Sequence, residues 1–174
     1  VIWWKMLFYQ RGPGPLVPWS SPTVADGMVF QAVDGFETHC LNDTDGSTLW
    51  TYRAVNWQVI GSSPLYANGK VYFTDFFHLV CLDPLLNTGK IDATNANVTW
   101  AQFLAREIYG SPAYSLGRVY ANSEQMALYV LDAETGAKLS FTELGTQSIS
   151  SPALYNSKLY IGGFDNYVYC YEEA

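Results

Sequence analysis

The chain has 174 residues, 49% of them apolar and 16% aromatic, and a formal net charge of −7. That is ample material for a packed core and too apolar for a disordered segment. The acidic balance, with no Lys/Arg cluster, argues against a nucleic-acid or anionic-membrane surface, and no apolar run approaches the ~20 residues of a membrane span.

Residues 1–10, Val-Ile-Trp-Trp-Lys-Met-Leu-Phe-Tyr-Gln, have the character of the later Thr48–Leu49–Trp50–Thr51–Tyr52 and are expected to form a strand. A Pro/Gly connector follows at residues 11–18. Ser21–Pro22 then opens a unit: a turn at Asp26–Gly27, an alternating run Met28–Val29–Phe30, a turn at Asp34–Gly35, a run ending Cys40–Leu41–Asn42, a turn at Asp45–Gly46, and Leu49–Trp50. Asp-Gly favours the positive φ of two-residue hairpins, and period-two alternation of branched and aromatic residues means strand. The same order recurs from Ser63–Pro64 (Asn68–Gly69, Val71–Tyr72–Phe73, Cys81–Leu82–Asp83, Thr88–Gly89, Trp100). It recurs again from Ser111–Pro112 (Leu116–Gly117, Val119–Tyr120, Val130–Leu131–Asp132, Thr135–Gly136, Leu139) and from Ser151–Pro152 (Asn156–Ser157, Leu159–Tyr160–Ile161, Asp165–Asn166, Cys170–Tyr171).

The spacings are 42, 48 and 40 residues. A period in this range, with four short strands per copy and no helical stretch, predicts an all-β fold: a β-propeller of four-stranded antiparallel blades. The units are residues 11–55, 56–104, 105–144 and 145–174, the last lacking its own fourth strand. Residues 1–10 supply a fourth strand to a preceding or a closing blade. The two gaps are complementary and leave three solutions open: closure of a four-bladed ring, completion of a blade in a missing N-terminal half, or pairing of two chains. Opening at Val rather than Met suits a chain with a leader removed, or part of a longer protein.

Small residues precede each Ser-Pro (Ser20, Ser62, Gly110, Ser150), as expected where inner strands converge on an axis. The residues before them, including Trp19 and Tyr109, either plug the central channel or line its mouth. Together with Trp57 and Trp3 they are the candidate partner contacts. Residues 90–99 make the second unit about seven residues longer than its counterparts, and are expected to form a surface loop. Cys40, Cys81 and Cys170 hold equivalent places in different blades, so they read as buried packing residues too far apart for disulfides. His39 and His78 fall out of register with each other and have no ligand at zinc spacing. Asn42–Asp43–Thr44–Asp45–Gly46 is oxygen-rich but lacks the closing acid of a calcium loop, and reads as a tight turn. Asn42 and Asn97 each open an N-glycosylation sequon. No catalytic, metal-binding or cofactor-binding constellation is expected.

The pattern Ser-Pro, Gly-Lys-Val-Tyr, Leu-Asp-x-x-Thr-Gly-x-x-Leu-Trp resembles the repeat of the pyrroloquinoline-quinone-type (quinoprotein-like) β-propellers over essentially the whole chain. The resemblance implies that a fourth-strand tryptophan docks between blades beside the glycine turn. Trp50 and Trp100, with Gly46, Gly89 and Gly136, match those positions, and Ser140 departs from them. It also implies a ring of seven or eight blades, of which this chain is a part. Quinone-dependent alcohol dehydrogenases of the family use adjacent cysteines, an Asp base and Ca²⁺. No Cys-Cys pair exists here, and pyrroloquinoline quinone and Ca²⁺ enter only if the chain is the C-terminal half of such an enzyme. The favoured expectation is an exported, non-catalytic module, outside the cytoplasm, that binds a protein partner. A structural subunit of a surface assembly is the third reading.

Overall fold

The computed structural model describes residues 2–5, 7, 20–33, 37–54, 62–92, 94, 97–104, 107–124 and 127–172. Among them no α-helix forms, and sixteen strands make four sheets. The first holds β1 (Thr23–Ala25), β2 (Met28–Val33), β3 (Glu37–Asn42) and β4 (Thr48–Arg53) in antiparallel order. The second holds β5 (Leu65–Ala67), β6 (Lys70–Thr74), β7 (His78–Leu82) and β9 (Val98–Phe103), with β8 (Gly89–Asp92) leaving it. The third is β10 (Ala113–Ser115), β11 (Arg118–Ser123), β12 (Ala127–Asp132) and β13 (Lys138–Glu143), and the fourth is β14 (Ala153–Tyr155), β15 (Lys158–Gly162) and β16 (Val168–Glu172).

Each sheet opens on a two-residue hairpin in which both turn residues take positive φ: Asp26–Gly27, Asn68–Gly69, Leu116–Gly117 and Asn156–Ser157. Mirror-image turns of this kind match the twist of the flanking strands, so even Leu116 and Ser157 are held in a region that side chains disfavour. Bulges recur at Cys40/Leu41, Cys81/Leu82 and Val130/Leu131, one per third strand where a fourth strand pairs with it.

The sheets stack face to face. Phe30, Cys40, Trp50 and Tyr52 of the first meet Val71, Phe73, Val80 and Leu82 of the second. Tyr72, Cys81 and Trp100 of the second meet Val119, Ala121, Tyr129 and Leu131 of the third. Tyr120, Leu128 and Val130 of the third meet Leu159 and Ile161 of the fourth. Each large apolar side chain so buried contributes about 1.5–3 kcal/mol.

Two hydrogen-bond series explain the repeat's punctuation. At the inner edge the Ser21 N–H donates to Ser63 Oγ (2.8 Å), Ser63 N–H to Ser111 Oγ (2.8 Å) and Ser111 N–H to Ser151 Oγ (2.9 Å). Ser63, Ser111 and Ser151 thus each satisfy a backbone donor, just ahead of the preceding unit's inner strand, that no ladder reaches. At the outer edge the indole of Trp50 donates to Pro84 O (3.0 Å) and that of Trp100 to Ala133 O (2.9 Å), each reaching the next sheet's turn.

Three local expectations need correction. The insertion is more than a loop: β8 pairs in parallel with β4, Trp50 opposite Gly89 and Thr51 opposite Lys90, so the first sheet has five strands. The inserted residues reach back over the preceding blade's outer edge, where they satisfy backbone groups that would otherwise face water. Residues 2–5 and 7 carry no strand. Cys170 is exposed, whereas Cys40 and Cys81 are buried; the outward face of the fourth sheet, where Cys170 lies, is not covered by another sheet.

Candidate functional site

Two features stand out from the apolar stack. The first is the face of the first sheet that points away from the second. In the other three sheets the equivalent rows are largely apolar: Val71, Phe73, Val80 and Leu82; Val119, Ala121, Tyr129 and Leu131; Leu159, Ile161, Tyr169 and Tyr171. In the first sheet Gln31, Glu37, His39 and Arg53 interrupt that row. Glu37 and His39 are buried, at 5% and 6% exposure. Glu37 Oε1 accepts from Arg53 Nη2 (2.7 Å) and Nε (3.1 Å). Its Oε2 lies 3.3 Å from His39 Nε2, whose ring Nδ1 meets Thr51 Oγ1 at 3.1 Å. Burial pushes the Glu37 carboxyl up, but the hydrogen bonds and charges of His39 and Arg53 together outweigh it and hold the group below its ordinary value.

Two adjoining cavities open over this row. One, of ≈ 230 Å³, is lined by Glu37, Thr51, Arg53, Lys90, Ile91 and Asp92. The other, of ≈ 430 Å³, is lined by Lys5, Leu7, His39, Thr48, Thr51, Gly89 and Lys90. Strand β8 forms a wall of both.

The second feature is an aromatic rim at the ends of β6, β7 and β9. Phe76 has φ +75°, and Phe77 N–H donates to Asp75 O (3.0 Å), closing a three-residue γ-turn. A bulky residue in this region is strained and persists only where its surroundings over-determine it. Here they do: Asp75 Oδ1 accepts from the His78 N–H (3.1 Å) and meets its Nδ1 (2.8 Å), Ile108 N–H donates to Phe76 O (2.9 Å), and Leu104 N–H donates to Phe77 O (2.9 Å). The turn packs Phe76 edge-on against Phe77 and Tyr109, and sets Phe77 and His78 beside Phe103, which is 49% exposed. Asp75 is buried, which pushes its carboxyl up despite the offsetting pull of His78. Burial and the charges of Glu124 and Glu107 raise the Tyr109 phenol, so the rim is aromatic and acidic.

Of the residues singled out in the sequence, Tyr109 is in this rim, while Trp19 and Trp57 lie outside the described residues. Trp3 docks on the first sheet instead: its indole donates to Asp43 O (2.7 Å), and its ring sits where a Cβ on Gly46 would be, 2.5 Å away. Trp100 covers Gly136 in the same way, at 2.6 Å, so Trp3 takes the position of a preceding blade's fourth-strand tryptophan. Gly89 has nothing within 4 Å of its Cβ position. Asn42 is half-buried at the end of β3 and its Oδ1 accepts from Thr44 N–H (2.8 Å). Asn97 is exposed, but its Nδ2 donates to Leu86 O (2.6 Å). His39 and His78 lie on different sheets, and among the described residues no group of three His, Cys, Asp or Glu side chains is placed to hold a metal. Burial raises the thiols of Cys40 and Cys81, to about 12 and about 11, which leaves both unreactive. Glu37, Arg53 and Lys90 carry no local motif, and only cross-strand register brings them together.

A family model described as outer membrane protein assembly factor BamB, PQQ_2, matches residues 2–174. The chain belongs to this PQQ-repeat family. The BamB crystal structure from Moraxella catarrhalis superposes with a TM-score of 0.69 at 18% identity, over 87% of this chain and 44% of that one. The quinohemoprotein alcohol dehydrogenase of Comamonas testosteroni superposes with a TM-score of 0.68 at 16% identity, over 82% of this chain and 28% of the other. A curated relative, the beta-alanine-activating enzyme of Danio rerio, is 26% identical over 162 residues, which is 92% of this chain and 10% of that protein. The PQQ-repeat chain therefore spans less than half the length of each of these relatives. No helix among its described residues is long and apolar enough to cross a membrane.

Proposed function

We propose that this PQQ-repeat chain is a non-catalytic propeller segment, part of a ring of seven or eight blades, that docks a protein partner through the aromatic rim. The strained turn at Phe76 carries the reading. It fixes Phe77, His78 and Phe103 at the surface beside Tyr109, and rigid aromatic anchors of this kind dominate protein interfaces. Activity outside the cytoplasm belongs to the same proposal and draws on the outer-membrane assembly role in the family's description. Affinity capture with the wild-type chain and with a Phe103→Ala/Tyr109→Ala variant tests it. A partner retained by the first and lost by the second, at equal thermal stability, supports the reading; equal retention by both overturns it.

The Danio rerio relative favours a second reading, in which the propeller is an accessory module of a much larger activating enzyme. The likeness to quinohemoprotein dehydrogenases raises the enzyme alternative. Its quinone and Ca²⁺ find no fit among the residues present: the three cysteines are scattered as Cys40, Cys81 and Cys170, and no acidic cluster stands ready for the cation among the described residues. Quinone absorbance or dye-linked alcohol oxidation by the longer protein would revive that alternative.

A further inference from the structure

We propose that the group the rim takes from its protein partner is an arginine side chain, an assignment that rests on the docking role proposed above and narrows it. The rim lies where the second unit meets the third. The second sheet packs on the first through one face and on the third through the other, so the rim owes its exposure to no uncovered sheet face. Five rings run along it in a chain. His78 meets Phe103 edge-on (5.5 Å between centroids), Phe103 meets Phe77 (6.2 Å), Phe77 meets Phe76 (4.7 Å) and Phe76 meets Tyr109 (6.0 Å). Phe103 is 49% exposed, and Phe77, His78 and Tyr109 are half-buried, so the row offers aromatic surface to solvent.

Charge complementarity selects the occupant. At the Tyr109 end the Glu124 N–H donates to Glu107 O (2.8 Å), which ties the turn after β11 to the connection after β9 and sets two acidic residues side by side. Both are half-buried, and both charges act on the Tyr109 phenol. Among the described residues neither carboxylate has an ion-pair partner, so a cation brought by a partner relieves their mutual repulsion. At the other end His78 Nδ1 lies 2.8 Å from Asp75 Oδ1, so the charge of an imidazolium there is offset. Arg106 is the one cation in the sequence of residues 104–112 and lies outside the described residues. Rings beside carboxylates suit a guanidinium: the planar ion stacks on a ring within about 6 Å of its centroid while its N–H fork donates to carboxylate oxygens. The compact, strongly hydrated ammonium of lysine gains less from such a surface. An acidic or wholly apolar partner would instead desolvate Glu107 and Glu124 without compensation.

Two synthetic peptides test the assignment: acetyl-Gly-Arg-Gly-Arg-Gly-amide and the same peptide with citrulline, which keeps the shape and loses the charge, in place of arginine. Each is titrated into the chain at constant ionic strength, and the readouts are the ring NMR signals of Phe103 and Tyr109. Tyr155, exposed on the fourth sheet, is the control. Saturable shifts of Phe103 and Tyr109 by the arginine peptide are expected, with Tyr155 unmoved and the citrulline peptide about tenfold weaker. Glu107→Gln/Glu124→Gln and Phe103→Leu, all at positions that are not buried, are each expected to weaken binding about fivefold. Equal binding of the two peptides, shifts shared by Tyr155, or wild-type affinity in the glutamine variant overturns the proposal. Affinity capture separates its failure from that of the docking role. A partner lost by Phe103→Ala/Tyr109→Ala but retained by Glu107→Gln/Glu124→Gln removes the arginine and leaves the docking rim standing. Retention by both variants removes the rim as a docking site, and the arginine with it.

Discussion

At the scale of single residues, the two turn glycines Gly136 and Gly89 separate two costs that sequence cannot tell apart. Both have φ +71°, so an alanine at either strains the backbone by about 1–2 kcal/mol. At Gly136 the new methyl also meets the Trp100 ring, whereas at Gly89 it enters open space. Gly136→Ala is therefore expected to lower the urea midpoint clearly more than Gly89→Ala, by the additional ~1–3 kcal/mol of overpacking. Equal losses would mean that Trp100 does not press on that turn. The buried Glu37 makes a separate prediction. Its carboxyl lies below its ordinary value in the folded chain, so its stabilisation is present above the unfolded-state pKa and is lost as pH falls through the lower folded value. Asp75 acts in the opposite sense, because its raised carboxyl disfavours the folded state as pH rises through the window above 3.8. Comparing wild type with Glu37→Gln isolates the first effect. The stability gap between them is expected to close as pH drops below 4.5, and a gap that is constant with pH would remove Glu37 from the acid response.

At the scale of elements, the inner serine series makes each Ser-Pro a clasp between neighbours. Ser111→Ala removes the acceptor of the Ser63 N–H and is expected to cost about 1–2 kcal/mol in chemical denaturation, with Ser111→Thr recovering part of it. No loss would mean that water replaces the hydroxyl. The strands, hairpins and tryptophan positions were legible in the sequence because each rests on local chemistry: Asn-Gly and Asp-Gly turns, period-two alternation, and a recurring order of Ser-Pro, glycine turn and fourth-strand Trp. Strand β8 was not legible. Gly89–Lys90–Ile91–Asp92 is four residues long and its partner is a strand of the preceding blade, so tertiary pairing rather than propensity makes it a strand. The outer cavities were hidden for the same reason. Glu37, Arg53 and Lys90 come together only once β3, β4 and β8 are in register, and nothing in their spacing announces it. Trp3 was legible in part: residues 1–10 share the character of the fourth strand Thr48–Tyr52, and Trp3 covers Gly46 as Trp100 covers Gly136.

For the whole molecule, stability is approximately a sum over sheets and the interfaces between them, as in other repeat architectures. The three interfaces are not equal. The first two bury Trp50 and Trp100, each hydrogen-bonded to the next sheet's turn. At the third, Ser140 stands in the tryptophan position, and the smallest of the three clusters fills the junction. The fourth sheet has three strands, and Val168 on its outward face is 75% exposed. Opening of this sheet forfeits one modest interface, whereas opening of the second or third breaks two. Native-state hydrogen exchange is therefore expected to show β15 and β16 losing protection well before β6, β7, β11 and β12, in a sub-global step of lower free energy than complete unfolding. Uniform exchange across all four sheets would mean that the sheets open as one unit and that the tryptophan contacts do not set the order of the stack.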